Sequence, residues 1–221
     1  MGYYVVVDLE MCKVFGRNRL FPYSYEIIQI GAVLLDDCYE IVDRFMSYVK
    51  PAFGRIDSFI YHLTGIGGKQ VKEAPSLEKA LKDFVGWLPE GDIQAVSWSD
   101  TDEKQIRREM ALKGIQNDRV EWLLGDWLDC QPMFSGIMSE NRRYSLEEAL
   151  IASDIFTEGR AHEGLVDASN TALLFAKMKT GKEFSLNPYF DMAHREEFAK
   201  PLSVSMGDLF AQLAFPLPAT A

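Results

Sequence analysis

Tyr3-Tyr4-Val5-Val6-Val7-Asp8-Leu9-Glu10 decides how the rest of this chain is read. The β-branched run from Val5 to Asp8 is too apolar for a strand with one wet face, and it predicts a central strand buried on both sides. Asp8 and Glu10 stand two apart at its end, so they project from one face while Leu9 turns to the other. Acids at the tip of a buried strand need a partner. A hard divalent cation such as Mg²⁺ or Mn²⁺, which takes oxygen ligands, would be one. The D-x-E spacing alone is weak, since a chain of this size contains roughly one by chance.

Working outward, Glu26 to Leu35 (EIIQIGAVLL) reads as a second strand, Asp36-Asp37 as a turn, and Ile41 to Val49 as the returning third strand. Short connections make this an antiparallel meander. A short helix is expected over Ile56 to Leu63, ended by Thr64-Gly65. Another follows Ser76 as N-cap, with Leu77, Leu81, Phe84, Val85 and Leu88 on one face. Ile93 to Ser97 predicts a fourth strand, Asp102 to about Leu112 a helix, and Trp122 to Leu128 a fifth strand. Ser145 and Glu148 form a capping box for a helix through Ile151. Leu165 to Met178 reads as a long helix with Asp167 in its first turn. Meandering strands followed by strands alternating with helices predict an α/β fold: a mixed five-stranded sheet, antiparallel then parallel, with helices on both faces.

Three further residues stand out. Asp102 follows Ser99-Asp100-Thr101, a run that equally suits the start of a helix, where Ser, Asp and Glu favour the N-terminal dipole. His162 and Asp167 form H-x-x-x-x-D in the glycine-flanked loop Gly159-Arg160-Ala161-His162-Glu163-Gly164. A histidine beside clustered acids is a ready general base near neutral pH. His62 and His194 have no comparable acidic context. Lys104, Arg107, Arg108, Arg142, Arg143 and Arg160 are candidates to track phosphates, or plain surface charges.

The totals narrow the classes. The 221 residues, 48% hydrophobic and 25% charged, are those of an ordinary globular protein. No stretch of 18 apolar residues suggests a membrane span, and no secretory signal is evident. Cys12, Cys38 and Cys130 lack metal-finger spacing and fit a reducing, cytoplasmic setting. A net charge of −10 argues against extensive duplex binding. It argues less against chemistry at one strand end, where divalent cations offset local charge.

Taken together, Asp8-x-Glu10, Asp102 and His162-x₄-Asp167 resemble the three motifs of the DEDDh three-prime-to-five-prime exonucleases, members of the ribonuclease-H-like superfamily. Lys50-Pro51, Leu63-Thr64-Gly65-Ile66, Val71 and Ala74-Pro75 resemble the segment between the first two motifs. Gly159 to Asn170 resembles the third motif of the Eri-type and KapD-like branch. At the second motif, Ser97-Trp98-Ser99-Asp100-Thr101-Asp102 keeps the acid but lacks the His-Asn pair and the Phe common elsewhere in the family.

The resemblance implies a ribonuclease-H-like exonuclease domain over 1–180, with 181–221 as a C-terminal extension packed on it. It also implies two divalent metal ions, Mg²⁺ or Mn²⁺, held by Asp8, Glu10, Asp102 and Asp167, with His162 taking the proton of the attacking water. The expected substrate is the 3′ end of single-stranded nucleic acid, RNA favoured, released as nucleoside 5′-monophosphates. Met11, Leu63 and Thr64 are implied at the terminal base and sugar, with core packing as their alternative. A DNA-trimming or proofreading-like exonuclease and an inactive nucleic-acid-binding module are the rival readings. No added targeting domain is expected within the 221 residues, so a protein partner is expected to supply targeting.

Overall fold

The computed structural model describes residues 2–15, 24–139, 142–156, 159–181 and 187. The strands and helices among them all lie in the unit Met1–Ser185. The extension expected over 181–221 lies, apart from Gly181 and Asn187, outside the described residues, as does His194.

Five strands form one sheet in the order β3-β2-β1-β4-β5. They are β1 (Tyr3–Lys13), β2 (Tyr25–Leu35), β3 (Ile41–Tyr48), β4 (Ile93–Ser97) and β5 (Trp127–Asp129). The first strand is central, as its apolar run requires: Val5, Val6 and Val7 are fully buried. It pairs antiparallel with β2 from Tyr4↔Leu35 onward, and parallel with β4 from Tyr3↔Ile93 to Val6↔Val96. The expected α/β architecture, an antiparallel meander joined to parallel strands, is therefore present.

Helices cover both faces. Val5, Val7 and Leu9 enter a core with Leu77, Leu81 and Phe84 of α3 (Leu77–Trp87), Ile106 and Met110 of α4 (Thr101–Lys113), and Val120, Leu123 and Leu124 of α5 (Asp118–Gly125). The opposite face carries α8 (Gly164–Thr180), which buries Ala168, Ala172 and Phe175. Its approach to the sheet is closer than any side chain allows. A Cβ on Gly31 would stand 2.1 Å from the Gly164 carbonyl carbon. Glycine at 31 thus sets how near the amino end of α8 comes to β1 and β2.

Local signals explain most boundaries. Asp57 accepts the Ile60 N–H at 2.8 Å to open α1 (Ser58–Thr64), and Gly65 closes it at φ 76°. Ser76 caps α3, and the Ser145–Glu148 box opens α7 (Leu146–Ala152). Two short helices went unforeseen, α2 (Gly68–Lys72) and α6 (Cys130–Ile137). Pro132 lies in the first turn of α6, where its missing N–H costs nothing.

The fifth strand differs from expectation. Most of Trp122 to Leu128 is helix α5, and β5 is confined to three residues beginning at Trp127. The cause lies upstream: the Asn117 side chain accepts the N–H groups of Arg119 and Val120, both at 3.1 Å. That cap starts a helix whose Val120, Leu123 and Leu124 then face the core at helical spacing.

Candidate active site

The parallel pairing of β1 with β4 stops at Val6↔Val96, two residues before Asp8. Beyond that point β1 runs on without β4 beside it in the ladder, at the place where the sheet changes from antiparallel to parallel. Open α/β sheets place their ligand crevices at such a switch. Asp8 and Glu10 emerge there, on the face that carries α8.

The third motif arrives on α8. Asp167 lies in the helix's first turn, where the N-terminal dipole favours an acid. Its Oδ2 accepts the backbone N–H of His162 at 2.9 Å. His162 is held in the left-handed region, φ 62°, so the loop doubles back and returns the imidazole to the acid. Asn170, three residues along α8, hydrogen-bonds the Asp167 side chain and is 4% exposed. Sequence reading passed over this residue, although its helical spacing from Asp167 was the available signal. One ligand atom each from Glu10, His162 and Asp167 lies within 4.8 Å of the other two.

Asp102 reaches the cluster from the other side. The sequence left it between helix capping and site duty. In the fold its Oδ1 accepts the backbone N–H of Leu9 at 3.1 Å, tying α4 to the centre of the first motif. It is buried, at 7% exposure.

The electrostatics are one-sided. Burial pushes the Asp8 carboxyl well above its ordinary range, and Asp102, Asp167 and Glu10 push further. Glu10 rises to about 8 through burial and through repulsion by Asp167 and Asp102. Asp102 rises to about 7, mainly through burial, although the N–H groups of Leu9 and of Asp102 itself hold it back. Burial also raises Asp167, against the pull of the His162 N–H. Among the described residues no Lys or Arg forms an ion pair with any of these four acids. By contrast, buried Glu26 and Glu109 share the Lys113 ammonium at 2.7 and 2.6 Å. An uncompensated set of oxygen donors with one imidazole suits hard divalent cations. Glu10 and Asp167 are close enough to meet one such ion, with the His162 imidazole beside them and the Asp8 and Asp102 charges near enough to act on Glu10 and on each other.

A consequence is a stability that depends on pH. Between its ordinary 4.5 and about 8, folded Glu10 keeps a proton that the unfolded chain has released. Its stabilising contribution is complete below the lower value and is lost as pH rises through the upper one. Asp102 acts in the same sense between 3.8 and about 7. Thermal melts in chelator should therefore show Tm falling from about pH 5 to about pH 8. Added Mn²⁺ should raise Tm more at the higher pH, by roughly 2–4 °C for each kcal/mol recovered. A Tm indifferent to both would show that these acids do not form a cation site.

Beside the acids lies a cavity of about 420 Å³, lined by Asp8, Glu10, His162 and Asp167 together with Met11, Leu63, Tyr25, Phe59 and Lys13. That is within the size range of ligand pockets. Met11 and Leu63 thus share the cavity with the acids. Thr64 does not line the cavity. It is 4% exposed, its hydroxyl donates to the Ile60 carbonyl at 2.9 Å and accepts from the Ile66 N–H at 3.0 Å, and it serves the end of α1. Tyr25 and Phe59, 45% and 57% exposed, are aromatic faces at the cavity that the sequence alone did not single out. A larger cavity, about 680 Å³, is lined by Gln131, Arg142 and Arg143 and by neither His162 nor any of the four acids.

Most of the candidate phosphate-tracking cations are engaged elsewhere. Lys104 pairs with Asp100, Arg107 with Glu103, and Arg142 with Glu148. Arg160 donates to the His62 carbonyl, which ties the His162 loop to α1.

Residues 5–175 match the family model described as Exonuclease, RNase T. ERI1 exoribonuclease 2 of Mus musculus is 33% identical over 206 residues, covering 80% of this chain and 28% of that protein. The 3′-5′ exonuclease Snipper of Drosophila melanogaster is 28% identical over 190 residues, covering 74% of this chain and 66% of that protein. Among solved structures, the nuclease domain of 3′hExo, a DEDDh family member bound to rAMP, superposes with a TM-score of 0.67. Identity there is 22%, with 84% of this chain and 96% of that chain covered. This chain spans about a third or less of the length of the ERI1 exoribonuclease 2 proteins from mouse, human and zebrafish that it matches. The chain belongs to the RNase T exonuclease family.

Proposed function

We propose that this protein hydrolyses the last phosphodiester of a single-stranded nucleic acid from its 3′ end, one nucleotide at a time, and that RNA is its preferred substrate. The observation that carries this reading is the meeting of Glu10, His162 and Asp167 within 4.8 Å, against a wall that also holds Asp8 and Asp102. The RNA preference is supported by relatives named as exoribonucleases.

In this reading the four carboxylates hold two divalent ions, Mg²⁺ or Mn²⁺. Bound there, the ions supply Lewis acidity and stabilise charge on the attacking and leaving oxygens. The chain's own residues do the rest. An imidazole nitrogen of His162 accepts the proton of the attacking water. The Asp167 carboxylate, by accepting the His162 N–H, keeps the imidazole over the cavity while Asn170 fixes the carboxylate's orientation. Asp102 anchors the start of α4 to Leu9, so the first and second motifs cannot drift apart. Met11, Leu63 and Phe59 give the terminal base an apolar seat, which would set the scissile phosphate beside the acids. Stacking of this kind tolerates any base.

Matched RNA and DNA oligonucleotides, compared at equal length and sequence in Mg²⁺, separate the two substrate classes. RNA should be degraded faster. Equal or faster cleavage of DNA would reject the RNA preference while leaving the exonuclease reading intact.

A further inference from the structure

Gln29 is fully buried in the middle of β2, and the nuclease chemistry makes no use of it. Its neighbours are informative. It is the cross-strand partner of Glu10, and directly opposite residues on paired strands share a face. Its side chain therefore rises from the same wall as the Asp8 and Glu10 carboxylates. The register slips immediately afterwards, from Glu10↔Gln29 to Met11↔Ile27, so this pair is the last regular one before the strand bends.

Its Oε1 accepts the backbone N–H of Gly164 at 2.9 Å, the first residue of α8. That contact bridges 135 positions in sequence and joins the first motif's sheet wall to the third motif's helix. The junction has no slack. A Cβ on Gly164 would stand 3.1 Å from Gln29 Oε1 and 3.3 Å from the Asp8 carbonyl oxygen. The other end of the amide, Nε2, is buried without an acceptor among the described residues. A tie made only to hold the helix would need an acceptor and no spare donor, and a buried orphan donor is costly.

We propose that Gln29 is a positioning residue for the nuclease centre: its carbonyl end fixes the start of α8, and so Asp167, opposite Glu10, and its unpartnered N–H is a spare donor on the sheet face that carries the acids. The proposal rests on the exonuclease reading for its link to turnover, but not for its link to cation binding. Its effect runs through Glu10 and Asp167 and not through contact with substrate.

Two variants test it in the full chain. Gln29→Met keeps the length of the side chain and removes both hydrogen-bonding ends. Gln29→Glu keeps the acceptor for Gly164 and removes the spare donor. Hydrogen exchange at the Gly164 amide, Mn²⁺ affinity by calorimetry, and kcat and KM on an RNA oligonucleotide are the readouts. Gln29→Met should lose Gly164 protection, bind Mn²⁺ at least about tenfold more weakly, and lose kcat with KM little changed. Gln29→Glu should retain Gly164 protection and still lose Mn²⁺ affinity. Wild-type Mn²⁺ affinity in both variants would overturn the proposal, as would wild-type Gly164 protection in Gln29→Met. Should Gln29→Met fail to fold, Gln29→Glu decides alone, through its Mn²⁺ affinity. If the wild-type protein binds Mn²⁺ but degrades no nucleic acid, the exonuclease reading falls while the positioning role is still judged by affinity.

Discussion

Asp8→Asn should abolish Mg²⁺- or Mn²⁺-dependent degradation and, in chelator near pH 8, raise the melting temperature. The two effects have one cause. Asp8 is partly buried beside Asp102, Asp167 and Glu10, all of which push its carboxyl upward. Without a cation that arrangement is a burden, and a neutral amide of the same shape relieves it. With a cation, the lost carboxylate removes a ligand whose electrostatic work amounts to several kcal/mol, or about a thousandfold in rate at roughly 1.36 kcal/mol per decade. Asp167→Ala should be equally inactive but gain less stability, because it also removes the acceptor of the His162 N–H. Activity assays paired with melts in EDTA check both halves. Full activity in either variant would refute the site, and a lower Tm for Asp8→Asn would refute its electrostatic account.

The second large effect concerns His162. A positioned general base contributes about 10²–10⁴-fold to a hydrolysis. His162→Ala should lower kcat by that order. Cation affinity should change much less, because the acids remain and the Asp167 contact uses the backbone N–H that alanine retains. His162 adopts φ 62°, so some loosening of the loop is expected in the variant. Comparing kcat with the Mn²⁺ dissociation constant of the same variant separates the roles. Unchanged turnover would remove His162 as the base, and a collapse of cation affinity would make it chiefly a ligand.

What the sequence disclosed tracks the range of the interactions. Strand alternation placed Asp8 and Glu10 on one face, and β-branching made β1 central; both signals are local. His162 and Asp167 are close in sequence, and a helix start brings them together. Asp102 was ambiguous because what decides its role, the Leu9 N–H, lies 93 residues away. For Thr64 the family resemblance leaves a substrate contact and core packing both open, and only the fold reveals that its hydroxyl both donates and accepts within the chain. The helix over Asp118–Gly125 was missed because an apolar stretch of that length fits either period. The Asn117 cap that settled it was overlooked. Gln29 carried no sequence signal, since its meaning depends on the hairpin register and on a glycine 135 positions later.

The central claim is directional hydrolysis by the acids and His162. The most direct measurement is a time course on a 5′-end-labelled single-stranded RNA, with Mg²⁺, with Mn²⁺ and with EDTA, products resolved to one nucleotide. The expected result is a ladder that shortens stepwise from the 3′ end, with nucleoside 5′-monophosphates as the released product, in either metal and not in EDTA. Internal cuts, shortening from the 5′ end, or cleavage that persists in EDTA would contradict it.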